Sequence, residues 1–391
     1  MPLLRGSLGF ERFSVAGFEA ANFDSEHIEI LESHAAGKFE TSSAENVHVG
    51  FLGGDHLFDQ DFDLSKNLID NALHCCIRID TNQIPSAIRA AWLQIELAGF
   101  AKENDSGVAT KAQRKEAKEA VEQRCEVEAA SGKYRKMQQF PLLWDIEQEQ
   151  LYFGGSVGTS SGHCIELLER CFGVELRHVG AGSIAQAWAI DMDRYAEVDD
   201  LVPANFVSNQ MPSTHVWANE HSQAPDFLGN EFLMWLWWML ETETDTIQLP
   251  DESEVTVMLA KTLMLECPYG ETGKETITAE CPVKLPEALQ AIRSGKLPRK
   301  TGMTLVREGR QFDLVLQAEG FGISGAKIHL DDDEEFEDED RINAIRLLSE
   351  TTDLLFHTFC DRRSSDDWLS DQKAISKWIQ STNKVHHKAA A

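Results

Sequence analysis

The chain has 391 residues, 42% apolar and 26% charged, with a formal net charge of −29. That composition describes a globular protein with room for two or three domains and a sizeable core, and excludes a chain too polar to fold. The net charge argues against general attraction to nucleic acid or to an anionic membrane.

In chain order, residues 1–20 read as a strand around Leu8, Phe10 and Phe13. Ser25 to Glu40 reads as a helix with Ile28, Leu31 and Ala35 on one face. Asn46 to Leu52 and Ala72 to Asp80 alternate as strands do. A long helix follows Pro85, and after the polar break at Asn104 to Gly107 a second, exposed helix covers Thr110 to Ala130, with Glu and Lys interleaved. Phe140 to Asp145 and Gln150 to Gly154 are predicted strands, Ser160 to Phe172 a helix, and Val174 to Val179 a strand. Asp226 to Leu240 holds three of the nine tryptophans and no positive charge. Phe232, Trp235, Leu236 and Met239 fall at helical spacing and other apolar residues fill the remaining sides, so this helix is predicted to be buried, with Asp226 as its N-cap. Strands at 255–267 and 276–279, a helix at 286–294, a hairpin of 303–306 and 312–318 over Glu308-Gly309, a strand at 328–330 and a helix at 341–359 complete the pattern. Trp378 and Ile379 predict one more helical turn before a Lys-, His- and Ala-rich end that contains His386 and His387. Long helices among meandering strands indicate an α+β protein with mostly antiparallel sheets.

Candidate chemistry is sparse. Gly180-Ala-Gly182-Ser-Ile-Ala185 fits G-x-G-x-x-A, but the preceding strand alternates and no apolar strand ending in an acid follows, as a dinucleotide fold requires. Cys164, Cys171 and His178 are spaced by sevens, too widely for a zinc site. The eight cysteines form no C-x-x-C pair and read as reduced thiols. Asp331 to Asp340 holds nine acids in ten residues without the glycine and spaced ligands of a calcium loop, and reads as a solvated linker. No P-loop, G-x-S-x-G or H-E-x-x-H motif occurs, so the reading assigns no catalysis, metal or cofactor. No apolar run spans a membrane, and Met1 to Ser7 lack a signal-type apolar stretch, so the expected location is cytoplasmic.

Two segments run against the acidity. Lys111 to Lys136 carries eight Lys/Arg and five Glu, and Lys284 to Arg310 carries seven and two. Lys133, Arg135 and Lys136 flank Tyr134, a combination that neutralises phosphate and lays a ring against sugar or base. Arg293, Lys296, Arg299 and Lys300 cluster around Gly295 and Pro298.

Taken together, several segments resemble the recombination-associated RdgC family. They are Leu73-His-Cys-Cys-Ile-Arg-Ile-Asp80, Ile84-Pro85-Ser86 with the helix after it, the Lys/Glu-rich helix with Lys133-Tyr-Arg-Lys136, Phe140-Pro-Leu-Leu-Trp144, Leu151-Tyr-Phe-Gly-Gly-Ser-Val157, Phe227-Leu-Gly-Asn-Glu-Phe-Leu-Met-Trp235, and Ala288 to Lys296 leading into the 304–316 hairpin. The likeness covers residues 1–360, in possible lobes 1–130, 131–245 and 246–360, with 361–391 as a tail, and is closest to longer, divergent relatives. It implies a ring-forming homodimer that binds duplex DNA without sequence preference, restrains the recombinase RecA and associates with the nucleoid. The DNA-contacting residues it implies are Lys133, Tyr134, Arg135, Lys136, Lys284, Lys296, Arg299 and Lys300. Where the family has a basic turn, this chain reads Ala279-Glu-Cys-Pro-Val-Lys284, so Lys284 alone remains there. Two alternatives stay open: an acidic interaction module of a recombination or phage-defence system that does not bind DNA, and an exonuclease, against which the missing metal-carboxylate set counts.

Overall fold

The computed structural model describes residues 3–37, 47–156, 158–207, 224–268, 273–329 and 337–381. Along the chain the first elements are β1 (Leu8–Ala16), α1 (Ser25–Ser33), β2 (Val47–Leu52), α2 (Leu64–Asn67), β3 (Leu68–Ile69) and β4 (Ala72–Thr81). A helical hairpin follows, α3 (Ser86–Glu103) and α4 (Lys111–Ala130), then β5 (Lys136–Asp145), β6 (Gln150–Phe153), α5 (Thr159–Phe172) and β7 (Glu175–His178). Next are α6 (Ala181–Asp191), α7 (Tyr195–Asp199), α8 (Phe227–Thr242), β8 (Thr246–Gln248), β9 (Glu254–Glu266) and β10 (Glu275–Ala279). After a 3-10 turn at Pro282–Lys284 the chain ends with α9 (Pro286–Arg293), β11 (Leu297–Arg307), β12 (Arg310–Gln317), β13 (Ile323–His329), α10 (Asp338–Arg363) and α11 (Trp368–Gln380).

The architecture is α+β, with eleven α-helices and one sheet of thirteen strands among the described residues. All named strand pairs are antiparallel, in the path β10-β9-β11-β12-β13-β1-β6-β5-β4-β2, with β3 on β4, β7 on β1 and β8 on β9. Strand β1 joins the two halves: Leu8 and Phe10 pair with β13, while Glu11 to Ser14 pair with β6. β4 and β5 pair over their full ten residues across the α3–α4 hairpin.

The side-chain period of two puts β1 into two cores at once. Leu8 and Phe10 belong to a core under the β9/β11/β12/β13 half, and Phe13 belongs to a second core with Ile77, Trp144 and Phe153. Helices α1 and α5 cover the second core through Ile28, Leu31, Cys164, Leu167 and Leu168. Helix α8 fills the first, where every residue from Leu228 to Trp238 is buried. Phe232 meets the Phe356 ring edge-on at 5.3 Å, and Phe321 sits 4.8 Å from Phe356.

Helix α10 ties the halves together. Its Arg346 pairs with Asp145 at 2.6 Å, Asp353 holds Arg12 of β1 at 2.6 Å, and Arg363 pairs with Glu231 of α8 at 2.7 Å. Its 26 residues span ~39 Å.

Several sequence expectations shift. Helix α1 ends at Ser33, and 38–40 lie outside the described residues, as do Leu330 and 331–336 of the acidic run. Asp338, Glu339 and Asp340 of that run form the first turn of α10, where the dipole favours acids, so the helix starts before Arg341. The predicted turn near Trp378 is a 13-residue helix, and His386 and His387 lie outside the described residues. The hairpin strands are longer than the alternation alone marked, because β11 is paired on both edges. Asp226 occupies the N-cap position of α8 as expected, but its side chain makes no cap hydrogen bond there, and its carboxylate accepts from the Gly182 N–H of α6 at 3.0 Å. Strand β4 is buried from Ala72 through Asp80, on both faces, whereas alternation implied one solvated face. No described helix is long and apolar enough to cross a membrane.

Two outcomes follow from this packing. A Cβ at Gly229 would sit 1.9 Å from the Ala318 carbonyl oxygen, so Gly229→Ala is expected to cost about 3 kcal/mol in urea unfolding. His74 on β4 is buried, and desolvation lowers its pKa from 6.5 to about 4. The neutral ring is favoured in the fold, so this stability is whole above pH ~6.5 and is lost as pH falls towards 4, an effect of about 3 kcal/mol. His74→Gln should flatten that part of the stability–pH curve.

Candidate nucleic-acid interface

The first basic group sits where α4 hands over to β5. Thr110 and Gln113 cap α4 reciprocally at its start. At its end Gly132 takes φ +71°, a left-handed conformation that reverses the chain, and Arg135 N–H closes the turn on the Gly132 carbonyl at 3.1 Å. Lys136 then opens β5 opposite Thr81. Lys133, Arg135 and Lys136 are exposed and Tyr134 is half-buried. The Lys133 ammonium lies 3.4 Å from the Glu128 carboxylate and 5.5 Å from the centre of the Tyr134 ring. Arg135 pairs with Asp80.

The neighbouring α3–α4 hairpin contributes to neither core cluster. It is held by Trp92, buried beneath the Arg124 guanidinium at 4.3 Å, with Ala117 and Val121 packed inside.

The second group is built differently. Lys284 is exposed at the end of the 3-10 turn, on the rim of a cavity of about 440 Å³ that Trp237, Met258 and Cys281 also line. Lys296 is buried and paired with Glu275 of β10. Arg299 lies between Glu266 at 2.9 Å and Glu319 at 2.8 Å. Glu319 also accepts from Asn230 of α8 at 2.8 Å, and Asn230 donates to the Pro298 carbonyl at 2.8 Å. Arg293 donates to the Ile379 and Ser381 carbonyls, fastening α9 to the end of α11. Lys300 is half-buried between Gln317 and Met264. Lys296 and Arg299 therefore hold strands and α8 in place.

Within the chain the two groups do not meet. From β11 to β5 the path crosses β12, β13, β1 and β6, five strand steps or ~24 Å along the sheet. Lys296 and Arg299 of the second group are bound to acids, so their charge is largely cancelled where they stand.

The other sequence candidates take structural places. In the G-x-G-x-x-A segment, Asp226 already occupies the N-terminus of α6, where a pyrophosphate would need to sit, and β7 is antiparallel to β1. His178 faces Glu11 at 3.3 Å and the edge of Phe13, while Cys164 is buried in the second core. No group of three or more His, Cys, Asp or Glu side chains that could hold a metal occurs among the described residues.

Sequence reasoning missed Arg78 and Asp80, both buried on β4. The signal was present: residues two apart on a strand share a face, so an arginine and an aspartate at that spacing can pair. Asp80 also borders a cavity of about 580 Å³ with His34, His48, His163, Glu166 and Arg170.

No protein-family model matches the chain, and no curated protein matches it.

Arg299→Ala should destabilise the fold by ~2 kcal/mol, because Glu266 and Glu319 lose their shared cation. Lys300→Ala, with no comparable pair among the described residues, should change stability by less than about 0.5 kcal/mol in the same denaturant titration.

Proposed function

We propose that this protein binds duplex DNA without sequence preference, as a homodimer, and thereby limits the loading of a RecA-type recombinase. The observation that carries this reading is the exposed Lys133-Tyr134-Arg135-Lys136 turn at the root of a helical hairpin that lies outside both cores. Cations reach phosphates there while the ring lies against sugar or base. Further support comes from the order of the segments that resemble the RdgC family, which now fall on β4, α3, α4, β5, β6, α8, α9 and the β11–β12 hairpin. In this reading the ring-forming dimer and the nucleoid location follow from that resemblance. Phosphate contact is assigned to Lys133, Arg135 and Lys136, with Lys284 and Lys300 as outer contacts. Lys296 and Arg299 support the strand that carries Lys300.

The net charge of −29 is compatible with such contact, since surface fields are screened beyond ~10 Å at 0.1 M salt. Binding alters no bond in the DNA and calls for no cofactor. The second reading, an acidic module that binds a protein partner, draws on the ion-paired state of Lys296 and Arg299.

The two readings separate by salt titration. Three phosphate contacts from each of two protomers give a slope of log K against log salt of about −5. Lys136→Ala should shrink that slope by about 2 and weaken binding to all duplexes alike, while Lys296→Met leaves it unchanged. A protein that does not retard duplex DNA at low salt, yet co-purifies with a protein partner, supports the second reading and contradicts the first.

A further inference from the structure

We infer that Asp80 is the positioning residue of this interface: it clamps Arg135, through Arg78, in the orientation that meets phosphate. The inference rests on the DNA reading above. Asp80 is buried on β4, with only 3% of its side chain accessible. One of its oxygens, Oδ2, accepts from Arg78 Nη2 at 3.0 Å and from Arg135 Nη2. Its other oxygen lies 2.9 Å from Arg78 Nε. Arg78 is equally buried and is fixed from behind by a 3.1 Å hydrogen bond to the Leu57 carbonyl. Arg135 retains 39% of its side-chain exposure.

The arrangement has a direction. A buried arginine sets the position of the carboxylate, and the carboxylate in turn restrains Arg135 at Nη2. The guanidinium has five N–H donors in a rigid fork, and the clamp engages it at Nη2. The side chain is partly exposed, and Lys136, also exposed, follows it in the chain. Two arginines and one aspartate leave a net positive charge at this point. The rotamer entropy that a surface arginine normally loses on gripping phosphate is already spent by the fold. Lys133 shows the contrast: it lies past the end of α4, largely exposed, and meets Glu128 of that helix at 3.4 Å, so it offers charge without a buried clamp.

Asp80→Asn provides the test because charge and positioning pull in opposite directions. The variant raises the net charge by one per protomer, so a purely electrostatic role tightens DNA binding. Loss of the clamp instead weakens duplex binding, by about fivefold, and shrinks the salt slope by 1 to 2 in the dimer. The Asp80→Asn/Arg135→Ala double variant should bind no worse than Arg135→Ala alone, because Asp80 acts through Arg135. Additive losses, or tighter binding by Asp80→Asn, overturn the clamp. Where Asp80→Asn does not fold, the Arg135 Nε–H signal of the wild-type protein decides: slow, ordered relaxation supports the clamp and free averaging overturns it. Absence of salt-dependent binding by the wild-type protein overturns the DNA reading itself. Wild-type binding with an unweakened Asp80→Asn variant overturns the clamp alone.

Discussion

The close approach of α8 to the end of β12 is the contact on which the rest of the first core depends. Only a residue without a Cβ fits at Gly229, where the Ala318 carbonyl presses against the helix. That contact places the next two residues, both polar and fully buried. Asn230 reaches the Pro298 carbonyl and Glu319, and Glu231 takes Arg363 and the Ala204 N–H. A single turn of helix therefore joins β11, the β12–β13 connection, α10 and the chain before residue 208. Burying a charge pair is costly unless its hydrogen bonds are complete. Here the Glu231 carboxylate is bonded at both oxygens, and Arg363 also donates to the Val202 carbonyl.

The same turn explains why the second basic group is so tightly bound. Arg299 shares Glu319 with Asn230, so the arginine is an extension of the seating of α8. A basic residue near a basic residue in sequence can serve an interior acid, and charge counting does not distinguish the two cases. The first group differs because it follows a helix that buries little and a glycine that turns the chain out.

Much of the architecture was legible in the sequence. The apolar surround of Phe232, Trp235 and Leu236 marked α8 as buried, alternation marked β2 and β4, and β5, β6, β9 and β12 were also read as strands. What escaped notice has physical causes. Strand β4 carries His74, Arg78 and Asp80 inside, and polar residues read as solvent-facing unless their partners are known. Asp226 looked like the cap of the helix it precedes, but its acceptor serves the N-terminus of α6, 44 residues earlier in the chain. The very short strands β3 and β8 have too few residues to show a period. In the candidate interface the exposed turn at 133–136 was legible from charge and spacing. The Arg78–Asp80 pair could have been read from its two-residue spacing, but its link to Arg135, 55 residues further on, could not.

Lysine reactivity towards a small acylating reagent, read by mass spectrometry with and without a 30-base-pair duplex, tests the central claim most directly. The account predicts that DNA protects Lys133 and Lys136 from modification, while Lys296, buried against Glu275, reacts slowly in both samples. Equal reactivity of Lys133 and Lys136 with and without DNA, under conditions where the duplex is bound, would contradict it.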